Sequence, residues 1–182
     1  MLSTAVIFWT GLLVLLGLWM LGAYNRITAL RAPILAAWVQ VEQALTARGQ
    51  ALAAMLAAAA EPLASETAAL DAVAATQAQV LASTEVLRRR PVAPDLVAEL
   101  SKADAVLAAV LVRVVALVEQ QGALLAEEAV QAPLKVLREL PPRLAFARQT
   151  FNDAGRTYNA AIEQFPTRLL TSVFGFGHAG RL

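Results

Sequence analysis

The sequence predicts an all-α protein in which an N-terminal transmembrane helix continues into a long antiparallel four-helix bundle. Three observations support this prediction. The chain begins with an uncharged apolar run. Its composition is dominated by Ala and Leu, and the β-branched alternation and turn dipeptides typical of strands are scarce. Prolines then separate long amphipathic stretches, which is the pattern of bundle helices joined by short connections.

The apolar run extends from Leu2 to Ala23 without a charged side chain. About 20 such residues in a helix span the roughly 30 Å hydrocarbon core of a bilayer. A cleaved signal peptide is the alternative, but no basic residue precedes the run and Leu21-Gly22-Ala23 is a weak cleavage match. We therefore predict an uncleaved anchor.

A single crossing is expected. The next most apolar stretch, Val106 to Val118, is interrupted or flanked by charged residues and is too short to span a bilayer. Arg26 and Arg31 follow the anchor closely, whereas only the terminal amine precedes it. The positive-inside bias therefore favours an N-terminus outside and a bundle in the cytoplasm.

The remaining chain, about 160 residues, has the size of one domain with its own core. We divide the chain into an anchor (residues 1–23), a bundle (24–166) and a C-terminal tail (167–182) suited to the membrane interface. The 15 basic and 14 acidic residues give a net charge of +1, which provides no electrostatic case for nucleic acid. The absence of cysteine excludes disulfides, thiolate metal sites and cysteine nucleophiles.

Four amphipathic stretches are predicted as helices, over about residues 24–60, 63–90, 95–130 and 142–165. Pro33 and Gly49 are expected to kink the first without ending it. Pro94 occupies the first turn of the third, where a proline is tolerated. Residues 134–140 are expected to form a helical lead-in that is broken or bent at Pro141 and Pro142.

The fourth stretch places Leu144, Phe151, Tyr158 and Phe165 at intervals of seven residues, as in a left-handed bundle seam. Three aromatic residues are followed directly by asparagine, and such amides can hydrogen-bond across helices and fix their register. Capped or solvated amides are the alternative, and ordinary core packing explains the apolar stripes. The register candidates are Tyr24, Asn25, Trp38, Phe151, Asn152, Tyr158, Asn159 and Phe165.

Helix lengths predict which residues meet at the membrane. If the first helix leaves the bilayer, the second returns toward it and the fourth delivers the tail to the same end. Basic residues interleaved with aromatic ones suit an anionic lipid surface. The alternative for the arginine triplet is that it complements a helix C-terminus. The lipid-surface candidates are Arg26, Arg31, Arg88, Arg89, Arg90, Arg168, Phe174, Phe176 and Arg181.

Both ends of the chain resemble the LemA family. The resemblance is carried by Tyr24-Asn25, Leu30-Arg31, Ala37-Trp38, Val41 and Leu45, by residues 146–154, Tyr158-Asn159 and residues 162–166, and by Phe174-Gly175-Phe176. The chain departs from the family pattern at residues 46–52 and near Pro141-Pro142-Arg143, as in a divergent member. The resemblance implies a bacterial, membrane-anchored helical bundle from a family without an established enzymatic activity.

Catalytic motifs are not apparent. The only histidine, His178, lies in the tail, and neither a glycine-rich phosphate loop nor a nucleophile elbow occurs. We therefore predict no enzyme activity, no metal and no cofactor. The expected role is a scaffold or adaptor for a protein partner, with the distal turns near residues 61–66 and 132–140 as contact surfaces and with homo-oligomers possible. The alternative is a protein that shapes or senses the membrane surface through its basic, aromatic end.

Overall fold

The computed structural model describes residues 2–182, without the side chains of residues 2, 3, 170, 172 and 173. The side chain of Leu2, at the start of the predicted anchor, therefore lies outside the description. The helices are α1 Leu2–Ala29, α2 Arg31–Ala59, α3 Thr67–Arg89, α4 Pro94–Gln120, α5 Gly122–Leu125, α6 Glu128–Glu163 and α7 Arg168–Phe174, with a 3-10 turn at Ala64–Glu66. No strand occurs among these described residues, so the all-α prediction is confirmed.

α1 and α2 form an almost continuous rod. Leu30 alone separates them, and its N–H still donates to the Arg26 carbonyl at 3.2 Å. The interruption lies three residues before Pro33, which has no N–H to donate to the Ala29 carbonyl and crowds it. Between residues 2 and 182, this rod is the one segment long and apolar enough to cross a membrane, and its side chains from Thr4 to Leu18 are all exposed.

Four long helices build the core. α2 packs most extensively against α6, α3 packs against α4, and a smaller contact joins α2 to α3. Apolar side chains at three- and four-residue spacing meet along these seams. The bulkiest fully buried side chains are Tyr158, Phe151, Ile27, Ile34, Leu45, Leu52, Met55, Leu63, Leu87, Leu100, Leu107 and Leu124.

Two predicted helix boundaries are wrong. α4 ends at Gln120 rather than near Val130, because Gln121 is extended and Gly122 opens the short α5. α6 instead begins at Glu128 and runs without interruption through Pro133, Pro141 and Pro142. An internal proline costs about 3 kcal/mol or more, but the buried stripe of α6 continues on both sides of the proline pair, at Leu137, Leu140 and Leu144. Tertiary packing therefore overrides the local penalty. Pro94 does occupy the first turn of α4, as predicted.

The predicted heptad seam stops one repeat early. Leu144, Phe151 and Tyr158 are buried, but Phe165 is 80% exposed, so its assignment to the seam is wrong. α6 ends at Glu163, two residues before Phe165. Phe165 directly precedes Pro166, and a proline disfavours helical dihedral angles in the residue before it. The periodicity therefore continues in the sequence beyond the end of the helix.

Candidate functional site

The C-terminal tail folds back along α6 and is held there by two asparagines. The Asn159 amide accepts from the Ala179 N–H at 2.7 Å and donates to the Ala179 carbonyl at 3.1 Å. Asn152 makes the same pair of bonds to Leu182, at 2.9 and 2.8 Å. Seven helical residues rise about 10.5 Å, and three extended residues span about 10 Å. The two amides thus match the spacing of an extended strand, and we call this arrangement the tail clasp.

Small residues let the tail approach closely. Gly180 lies against α4, where a Cβ atom would come within 2.7 Å of the Val97 Cβ and 2.8 Å of the Pro94 Cα. Its N–H donates to the Val92 carbonyl at 3.1 Å. Gly155 of α6 lies beneath Ala179, and a Cβ atom added at Gly155 would be 3.6 Å from the Ala179 Cβ, an ordinary van der Waals distance. The tail clasp therefore fixes residues 179–182 between α6 and the start of α4.

This arrangement corrects the predicted role of the asparagines. Asn152 and Asn159 do not bond across helices; they bind the backbone of the tail. Asn25 is exposed near the end of α1. Trp38 and Phe151 do meet across the α2/α6 seam, with ring centres 6.4 Å apart in an edge-to-face arrangement.

An aromatic cluster joins the tail to the end of the apolar helix. The Tyr24 ring lies 5.2 Å from the ring of Phe174 and 5.7 Å from that of Phe176. The Arg31 guanidinium lies 4.9 Å from the centre of the Phe176 ring and donates to the Tyr158 hydroxyl at 3.3 Å. That hydroxyl donates to the Gly177 carbonyl at 3.1 Å. Arg31 therefore helps to hold the tail against the bundle.

The structure brings together only some of the lipid-surface candidates. Arg31, Arg89 and Arg90 line a cavity of about 600 Å³ beside Gly175, Gly177 and His178, and we call it the arginine cavity. It lies close to the apolar helix, because Arg31 is seven residues, or about 10 Å, beyond Tyr24.

The other candidates do not line the arginine cavity and differ in their surroundings. Arg88 pairs with Glu42 and Glu85 on the side of the bundle. Arg181 is exposed in the segment that runs back along α6, next to Gly180, which contacts Val92 and Pro94 at the rim of the arginine cavity. Phe176 is buried by the bundle, whereas Phe174 is 40% exposed. Arg26 and Arg168 are exposed at the ends of α1 and α7.

Two further features were missed by sequence reasoning. Buried Asp104 of α4 pairs with Arg48 of α2 and Arg148 of α6, and so ties three helices together. The signal was available, since Arg48 and Asp104 interrupt otherwise apolar stripes. Phe146 of α6 is 67% exposed beside a second cavity, of about 550 Å³, which is lined by Gln40, Gln43, Ala44, Ala47, Leu140, Pro142, Arg143 and Ala147. We call this surface the Phe146 face.

His178 is exposed in the tail, and its Nε2 lies 2.8 Å from a carboxylate oxygen of Glu163. Across the described residues 2–182, no three His, Asp or Glu side chains converge as metal ligands.

The fold and these contacts define a class of protein: a helical bundle on an apolar N-terminal helix, with its C-terminal tail bound back onto the last long helix. The sequence model of the LemA family matches residues 37–181, which is most of the chain. The chain belongs to the LemA family, as its end motifs indicated. A search of curated proteins gave no match.

Proposed function

We propose that this chain is a single-pass protein of the bacterial membrane that holds its bundle in the cytoplasm as a non-catalytic scaffold for a partner protein. Support for the membrane location comes from the apolar α1, whose side chains make few contacts with the bundle, and from membership of the LemA family. Support for the orientation comes from Arg26 and Arg31, which follow the apolar run.

The Phe146 face is the observation that carries the scaffold role, and we propose it as the partner surface in place of the distal turn near residues 61–66. Large apolar side chains exposed beside a concavity are typical of protein interfaces, and aromatic residues are frequent hot spots there. Phe146 projects from α6 next to Pro142 and Arg143, and Gln43 of α2 supplies a polar edge. Protein interfaces commonly have an apolar centre surrounded by a polar rim.

The experiment compares proteins retained by the full chain in lipid nanodiscs. Wild type, Phe146→Ala and Val86→Ala are used as bait. Val86→Ala is the control, because it also truncates an apolar side chain that is about half exposed but lies on α3. Losing a hot-spot aromatic costs about 2 kcal/mol or more, or about 30-fold in affinity. We expect one or a few proteins to be depleted at least tenfold with Phe146→Ala and retained with Val86→Ala. Identical sets from all three baits would refute the proposal.

A second candidate function is supported by the arginine cavity and α7. Phe165, Leu169 and Phe174 are exposed around α7, and the Phe174 ring contacts Tyr24 at the end of the apolar run. Apolar side chains beside arginines suit the headgroup region of an anionic bilayer, at about 1 kcal/mol per nearby cation. The membrane end would then sense or shape the lipid surface.

Hydrogen exchange in nanodiscs tests this second function. Anionic lipid should slow amide exchange over residues 165–177 relative to zwitterionic lipid, and the double variant Arg89→Gln/Arg90→Gln should remove the difference. Arg113→Gln is the matched control, since Arg113 pairs with Glu66 at the opposite end of the bundle. Exchange that is independent of lipid charge in wild type would contradict membrane sensing.

A further inference from the structure

The bundle is open along one seam. α2 packs against α6 and α3 against α4, but α4 and α6 make little direct contact, and a groove of about 520 Å³ lies between them. This volume lies within the range of small-molecule sites. The groove is mainly apolar, and its aliphatic lining is formed by Ala44, Ala108, Leu111, Val112, Val115, Ala116, Leu137, Leu140, Pro141, Leu144 and Ala145.

One end of this α4/α6 groove is charged. Arg48, Asp104 and Arg148 line it, so two guanidinium groups share one carboxylate and a formal charge of +1 remains. Arg48 is 8% exposed, and its Nε has no hydrogen-bond partner among the described residues. Arg148 is partly exposed in the groove. Each guanidinium has five N–H donors, so donors remain for a second anion.

The opposite end of the groove lacks this net positive charge. Glu119 lines it, and its carboxylate accepts from Arg138 at 2.5 Å. The groove therefore has a cationic end and an apolar length. Measured along α6 from Leu137 to Arg148, it extends for eleven residues, or about 16 Å.

We propose that the α4/α6 groove binds an aliphatic carboxylate, a fatty-acid-like molecule with one unbranched chain. The carboxylate accepts hydrogen bonds from Arg48 and Arg148, and the chain lies between α4 and α6 over the leucine and valine side chains. Charge complementarity identifies the head group, and the aliphatic lining, which is about 16 Å long, identifies the tail. This site goes beyond the scaffold function and does not depend on the Phe146 face.

The occupant is a free molecule rather than a bilayer lipid. Arg48 lies 24 residues beyond Tyr24, or about 36 Å along the helix axis, which places the charged end well outside a bilayer centred on the apolar run. An amphiphile in the groove must therefore have left the membrane.

The experiment uses the full chain in nanodiscs and a dodecanoic acid that carries a photoreactive diazirine. After irradiation, labelled residues are mapped by mass spectrometry. We expect labels on groove residues of α4 and α6, in addition to any labels on α1 from probe dissolved in lipid. Excess dodecanoate should remove the groove labels, whereas dodecanol and dodecyltrimethylammonium should be at least tenfold less effective, because neither carries the anionic head group.

Two variants separate the head group from the chain. Arg148→Gln leaves the Arg48–Asp104 pair in place and should raise the dodecanoate concentration needed for competition at least tenfold. Ala108→Trp fills the groove at an exposed position and should abolish groove labelling with the arginines intact. Labels confined to α1, equal competition by all three amphiphiles, or unchanged labelling in both variants would overturn the proposal. The comparison of dodecanoate, dodecanol and dodecyltrimethylammonium is made on wild type, so misfolding of a variant does not affect it.

Discussion

The tail clasp makes a quantitative prediction about local opening. Asn159→Ala removes two hydrogen bonds to Ala179, and each contributes about 0.5–1.5 kcal/mol net. The free energy of opening the tail should fall by about 1–3 kcal/mol, which corresponds to a 5- to 150-fold change in its equilibrium constant. The Gly180 amide is the best reporter, because its acceptor is the Val92 carbonyl and the substitution does not touch that bond.

The assay is hydrogen exchange at the Gly180 amide, measured by NMR on the full chain in nanodiscs. Asn159→Ala and Asn152→Ala should each accelerate exchange within that range, and Asn159→Asp should have a smaller effect because it keeps the acceptor for the Ala179 N–H. Asn25→Ala, an exposed asparagine on α1, is the control. Unchanged exchange at Gly180 in both alanine variants would refute the reasoning.

The remaining predictions concern stability, measured as the free energy of unfolding in denaturant. Asp104→Ala leaves the buried Arg48 without its carboxylate and should cost about 3–5 kcal/mol; a cost below 1 kcal/mol would show that the pair is well solvated. Gln77→Met should raise the free energy of unfolding by about 1 kcal/mol, because the buried Gln77 amide has no hydrogen-bond partner within the described chain. A lower free energy of unfolding would show that the amide does have a partner. Phe151→Ala should cost about 3–5 kcal/mol, whereas Phe165→Ala should change little because that ring is exposed; similar costs for the two would place Phe165 in the core.

The sequence predicted the elements whose causes are local or periodic. Phe151 and Tyr158 are buried because they repeat along one face of a helix, and Pro94 begins α4 because its geometry suits a first turn. Residues 134–140 are helical as predicted, but α6 is not broken at Pro141 and Pro142, because burial of the surrounding leucines outweighs the breaking tendency of the prolines. The location of Phe165 was misjudged because its spacing continues past the end of the helix.

The candidate sites were less accessible to sequence reasoning. The partners of Asn152 and Asn159 lie in an extended tail that has no periodicity, so nothing in the helix pattern identifies them. The pairing of Arg48 with Asp104 joins residues 56 positions apart. Each interrupts an apolar stripe visibly, but the partner becomes evident only when α2, α4 and α6 are placed together.

The scaffold function is tested most directly by cross-linking in cells, since the natural chain lacks cysteine. Gln43→Cys places a photo-crosslinker on the Phe146 face, and Ser65→Cys places the same reagent at the exposed turn beyond α2. Our proposal predicts a discrete protein adduct from Gln43→Cys that disappears when Phe146→Ala is added and does not form from Ser65→Cys. Adducts that are the same from both positions, or that persist without the Phe146 ring, would contradict it.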